Sequence, residues 1–112
     1  MKKQLLLLVM LMLQVAAFPK HVRIDNIDYQ LYTENGNNYA RVVRNSKFKT
    51  YAYKGHVVIP ESVVYKNKEY IVREVGHKDE YRKAFEECDS LISVTIPSTV
   101  TIISQDAFRN CI

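Results

Sequence analysis

The stretch from Asn35 to Pro60 contains no Asp or Glu, yet it carries Arg41, Arg44, Lys47, Lys49 and Lys54. Tyr39, Phe48, Tyr51 and Tyr53 are interleaved with those cations. A cation set against an aromatic face is held by the ring quadrupole. The combination suits an acidic polysaccharide, a lipid headgroup or single-stranded nucleic acid. Arg41, Arg44, Lys47, Lys49, Tyr51, Tyr53 and Lys54 are therefore the candidate ligand contacts. The same residues also describe a solvated hairpin edge, on which lysine discourages strand-to-strand aggregation. Composition alone leaves both readings standing.

Other chemistry finds little support. His21, His56 and His77 share no ligand spacing with one another or with Cys88 and Cys111, and H-E-x-x-H, C-x-x-C and Gly-rich phosphate loops are missing. The expectation is a chain with no cofactor, no metal site and no catalytic residues. Asp79 with Glu80, and Glu86 with Glu87, are sequence neighbours that point apart on a strand or a helical turn, so they read as solvated surface rather than acid/base pairs.

The N-terminus carries an address. Lys2 and Lys3 precede an apolar run from Leu5 to Leu13 that continues through Val15, Ala16 and Ala17, the n-region and h-region of a secretory signal. A bilayer span needs about 20 apolar residues, whereas this run is broken at Gln14 and stops before Pro19 and Lys20. Val15 and Ala17 fit a signal peptidase, which predicts a signal peptide at residues 1–17, a mature chain from Phe18 and no membrane span. No Cys follows the run, which argues against a lipoprotein anchor at this end. Loss of Lys2 and Lys3 lowers the formal charge from +4 to +2, so the basic pI is weak evidence for nucleic acid, and export argues against that partner. Export would permit a disulfide between Cys88 and Cys111, the only two cysteines.

After the leader the chain reads as β. Ile27, Tyr29 and Leu31 alternate with Asp28, Gln30 and Tyr32, the period of a half-buried strand. Asn35-Gly36-Asn37-Asn38 supplies residues that tolerate positive φ, as a tight hairpin turn demands. Ala40 and Val42 continue on the return strand, with Arg41 and Arg44 on the wet side. A second hairpin runs through Val63 and Tyr65, turns at Lys66-Asn67-Lys68, and returns through Tyr70 and Val72.

From Val72 onward an internal repeat governs the reading. Ala84-Phe85-Glu86-Glu87-Cys88 recurs 23 residues later as Ala107-Phe108-Arg109-Asn110-Cys111. Leu91, Val94, Ile96, Pro97, Val100 and Ile103 lie between. Val57, Ile59, Pro60 and Val63 match Val94, Ile96, Pro97 and Val100 at a constant offset of 37, and Val72 and Val75 match Val100 and Ile103. Five extra residues fall within Gly76 to Lys83, a charged insertion that could enlarge a binding face or merely be tolerated. Coils of this kind place apolar residues at fixed inward points and bury them only by stacking. The spacing puts Val75, Phe85, Leu91, Val94, Ile96, Val100, Ile103 and Phe108 inward, with Phe85 and Phe108 stacked in adjacent coils. Pro97, which has no N–H for a ladder, ends the short strand Val94–Ile96.

The pattern from Ala84 to Cys111 resembles the BspA-like leucine-rich repeat of bacterial surface proteins, whose units carry A-F-x-x-C, L-x-x-V-x-I-P and V-x-x-I in that order. It differs from the commoner leucine-rich consensus in having Pro where that has Asn. The likeness is strong over 72–112 and weaker over 24–71, which resembles the entry segment of that family. It implies a mainly β fold with short helical turns: β-hairpins over 18–71 leading into a leucine-rich-repeat solenoid over 72–112. Cys88 and Cys111 become small buried residues of the solenoid wall, with the disulfide as the other reading. Ile112 falls inside a repeat, and the expectation is a fragment of a longer solenoid. The implied function is protein binding or adhesion along the repeat surface by a secreted or surface-displayed protein. A glycan- or anion-binding module centred on residues 39–54 is the alternative. The expected partner is an extracellular protein or glycan.

Overall fold

The computed structural model describes residues 20–44, 53–77 and 84–109. Eight strands run in chain order: β1 (Lys20–Ile24), β2 (Ile27–Glu34), β3 (Asn37–Val43), β4 (Gly55–Val58), β5 (Ser62–Tyr65), β6 (Lys68–Val75), β7 (Leu91–Thr95) and β8 (Ile102–Ile103). The two hairpins expected from turn chemistry are β2–β3 and β5–β6. A third, β1–β2, turns on Asp25-Asn26. Each turn holds two consecutive residues at positive φ: Asp25 and Asn26, Asn35 and Gly36, Lys66 and Asn67. That is the two-residue hairpin geometry whose twist matches its flanking strands.

These strands form a curled sheet in the order β1-β2-β3-β6-β5. Strand β6 joins the hairpins to the repeats. One edge of it pairs in parallel with β3, while the other edge is shared, first by β5 antiparallel and then by β8 in parallel. A separate two-stranded parallel sheet joins β4 to β7.

The repeat offsets are the registers of these parallel pairs. Val57 lies opposite Val94 and Val58 opposite Thr95, 37 residues apart, and Val75 lies opposite Ile103, 28 apart. Backbone bonds from Phe85 N to Ala107 O (2.7 Å) and from Glu87 N to Arg109 O (2.8 Å) tie one A-F turn to the next. Among the described residues no helix forms, and the A-F segments are turns.

The core gathers from both the curled sheet and the coils. Ile27, Tyr29, Leu31, Ala40, Val42, Val63, Val72 and Val75 come from the curled sheet, and Val57, Ile59, Ala84, Phe85, Cys88 and Ala107 from the coils. The rings of Phe85 and Phe108 stack at 5.1 Å and 4°, while Tyr53 packs on the other side of Phe85 at 4.7 Å. Burial of a side chain such as Phe85 contributes about 1.5–3 kcal/mol. Leu91, Val94, Val100 and Phe108 are partly buried against this core. Ile96 and Ile103, given the same inward role by their spacing, are 36% and 52% exposed. Both sit in the last described coil, where no further described strand lies over them. Burial in a stack needs a neighbour on each side.

Candidate functional site

The face that the repeats build outward is the exposed side of β4 and β7. Val57 and Val94 point inward, so their strand neighbours His56, Val58, Ser93 and Thr95 point out, as the two-residue period requires. The ladder steps from Gly55 opposite Leu91 to His56 opposite Ser93, which leaves Ile92 as an extra residue on β7. Such a bulge re-aims a side chain, and Ile92 stands 71% exposed at the Gly55–His56 step, with Val58 65% exposed further along the ladder opposite Thr95. Gly55 holds φ at +67° where the strand enters, a conformation that costs glycine nothing. His56 Nδ1 and Ser93 Oγ lie 2.6 Å apart across the two strands. The face therefore mixes two large apolar side chains with hydroxyls and an imidazole, and presents no opposed acid and base.

The basic hairpin is built differently from its expected role. Lys47, Lys49 and Tyr51 lie outside the described residues, as does Cys111. Tyr53 is a core residue rather than a ligand contact: its ring packs on Phe85 and its hydroxyl donates to Val43 O at 2.6 Å. Burial pushes its pKa well above the ordinary tyrosine range. Arg44 spends a guanidinium nitrogen on Glu86 O at 2.7 Å, which pins β3 to the A-F turn. Lys54 is exposed and brings no second described member of the set with it.

Arg41, expected on the wet side, is half-buried. It meets Glu74 at 3.0 Å and Gln30 at 2.6 Å, and its guanidinium lies 4.0 Å from the Tyr32 ring centroid. A second bulge assembles this cluster. β3 advances one residue from Ala40 to Arg41 while β6 advances two, so Arg73 is the extra residue and faces out beside Glu74. Arg73 donates to Tyr32 at 2.8 Å and to Glu34 at 2.5 Å, and lies over Tyr39 at 3.8 Å. Tyr32 in turn donates to Glu74. Burial first, and the Glu74 carboxylate next, raise the Tyr32 pKa to about 12. With their cations matched to carboxylates, Arg41 and Arg73 fasten the entry hairpin to β6. Sequence reading missed this cluster because its hydrogen-bonded partners lie 11 to 42 residues apart. The one available signal was the charged pair Arg73-Glu74 set between Val72 and Val75 of β6.

Residues 76–112 match the family model described as BspA type Leucine rich repeat region (6 copies). The chain carries a BspA-type leucine-rich repeat. A leucine-rich repeat protein from Bacteroides ovatus ATCC 8483 is similar, at 32% identity and a TM-score of 0.59, over 80% of this chain and 21% of that one. The pneumococcal vaccine antigen PcpA aligns at 22% identity and a TM-score of 0.47, over 83% of this chain and 25% of that one. The chain thus spans about a fifth to a quarter of the length of these two structures. No curated protein matches it. The BspA-type repeat accounts for the residues that sequence spacing placed in the coils: Val75, Phe85 and Cys88 are buried in the stack, and Leu91, Val94, Val100 and Phe108 pack against it. Among the described residues no group of His, Cys, Asp and Glu is arranged to hold a metal ion, and no helix is long and apolar enough to cross a membrane.

Proposed function

We propose that this protein is an exported, non-catalytic repeat protein that binds another protein through the outer face of β4 and β7, in adhesion at a bacterial surface. The observation that supports the reading is the bulged parallel pairing of β4 and β7, which leaves Val58 opposite Thr95 and Ile92 at the Gly55–His56 step both largely in solvent. Large apolar side chains exposed on an ordered sheet favour a protein partner, because their burial in an interface is a gain that solvent does not offer. The leader-like sequence at residues 1–17 supports export, and leucine-rich repeats supply a scaffold that extends by stacking.

The anion-binding alternative would have to do without two of its members, since Arg41 is paired with Glu74 and Tyr53 is buried. The test is an immobilised array of extracellular matrix and serum proteins probed with the purified protein. V58E/I92E should abolish the signal that the wild type gives, while K54E leaves it unchanged. Binding that survives V58E/I92E and falls steeply with salt would overturn the reading in favour of an anion site.

A further inference from the structure

The curled sheet does not close. Among the described residues β1 pairs only with β2 and β5 only with β6, and no backbone bond joins β1 to β5. Along the order β1-β2-β3-β6-β5 the two edge strands run in opposite directions. The curl nevertheless brings them face to face. Lys20 at the start of β1 reaches the Tyr65 ring at the end of β5, with Nζ 5.1 Å from its centroid. At the other end, Ile24 and Asp25 share one groove with Pro60, Ser62 and Val63. The gap is therefore too wide for direct pairing and narrow enough for a lysine stem to bridge. An inserted strand needs about 10 Å, two strand spacings, between the edges it pairs with.

The groove has a volume of ≈ 430 Å³ and an apolar floor of Ile27, Tyr29 and Val63. The edge strands differ in charge along their length. Asp25 lines the groove, while Lys20 and Lys66 lie over Tyr65 beyond it, where β1 begins and β5 ends.

We propose that the slot between β1 and β5 takes up an extended peptide strand from an acidic partner, with apolar side chains toward Tyr29 and Val63 and carboxylates at the Lys20–Lys66 end. Each edge strand offers backbone groups along the slot, and strand addition turns those groups into affinity while the pockets beneath read alternate side chains. The inserted strand runs antiparallel to one edge and parallel to the other, as β3 already does between β2 and β6. A second copy of this chain is a poor occupant. Both edges carry lysine, with Lys20 on β1 and Lys66 and Lys68 in the β5–β6 hairpin, so two copies would meet with like charges opposed. Val58 lines the groove as well as the β4–β7 face, so Ile92→Glu, which leaves the groove's lining untouched, separates the two: it should weaken binding of the protein partner of the β4–β7 face and leave the peptide bound.

The probe is a capped seven-residue peptide of alternating valine and threonine ending in two glutamates. Its binding to the purified protein is followed by fluorescence anisotropy and amide hydrogen exchange. Binding should slow exchange in β1 and β5 together. K20E/K66E, with both substitutions at exposed positions, should keep the wild-type circular dichroism and weaken binding at least ten-fold. N-methylation of alternate peptide bonds should abolish binding. Several results would overturn the proposal: no protection of β1 and β5, equal binding of a peptide ending in two lysines, self-association through this edge, or slot protection without peptide that disappears when residues 1–19 are removed.

Discussion

The Tyr53 hydroxyl lies 2.6 Å from the Val43 carbonyl, which accepts its proton, while the same oxygen accepts the Asp28 backbone N–H at 2.9 Å. One side chain thus occupies a backbone donor on β2 and a backbone acceptor at the end of β3, where the hairpin meets the coils. Tyr53→Phe keeps the ring against Phe85 but leaves both groups buried without this partner. The expected cost is about 1–3 kcal/mol, read as a lower denaturation midpoint at unchanged m-value. A midpoint equal to that of the wild type would show that water replaces the hydroxyl.

Phe85 and Phe108 occupy equivalent repeat positions yet differ in burial: Phe85 is fully enclosed between Tyr53 and Phe108, whereas Phe108 is only partly covered. Phe85→Ala should cost about 3–5 kcal/mol. Phe108→Ala should cost clearly less, since its site is already part-open and leaves a smaller cavity. Equal losses in urea melts of the two variants would mean that the last coil is as tightly packed as the one before it.

Arg41 and Glu74 are each about one-tenth exposed at the side chain and 3.0 Å apart. Removing Glu74 strands the nearly buried Arg41 cation, whereas removing Arg41 leaves Glu74 with the Tyr32 hydroxyl and, at 3.9 Å, Arg73. Glu74→Ala should cost about 3 kcal/mol and Arg41→Ala less, with the double variant costing less than their sum. A double-mutant cycle measures this coupling directly, and additive losses would show that the pair does not fasten β3 to β6. The binding signal attributed to Val58 and Ile92 should persist in any of these variants that remains folded.

Much of this fold was legible because repeat arithmetic is also strand register. The offset of 37 between Val57 and Val94, and that of 28 between Val75 and Ile103, reappear as parallel pairs. Turn residues at Asn35-Gly36 and Lys66-Asn67 located two hairpins for a local reason, the need for positive φ. Asp25-Asn26 carries the same chemistry and was overlooked, and β1 with it. The alternation of Ile27, Tyr29 and Leu31 with polar residues suggested one wet face, but Asp28 and Gln30 are buried as well. Arg23 satisfies Asp28, with Nη1 3.0 Å from both carboxylate oxygens, and Arg41 satisfies Gln30. Polar residues can occupy a covered face when distant partners neutralise them, and sequence spacing does not reveal such partners. The exposed Ile92 and the outward Arg73 depend on bulges, where one strand advances two residues against one. Periodicity assumes the opposite.

The tyrosines set the response to alkali. Burial raises the pKa values of Tyr29 and Tyr53, and burial together with the Glu74 carboxylate raises that of Tyr32 to about 12. An unfolded tyrosine ionises near pH 10. A folded pKa above the unfolded one means that the native state holds its proton more tightly, so this contribution is fully present below about pH 10 and is lost as pH climbs through the folded values. Tyr65 shifts the other way, because a hydrogen bond from Lys20 favours its phenolate, and it should ionise first without loosening the core. Absorbance at 295 nm should therefore rise in at least two phases, an early one that includes Tyr65 and a late one that coincides with loss of the β signal in circular dichroism. Tyr65→Phe should shrink only the early phase, and Tyr32→Phe should take amplitude from the late one. If all eight tyrosines titrate in a single step near pH 10 while the sheet remains intact, the buried hydroxyls are reached by solvent and do not hold the hairpin to the coils.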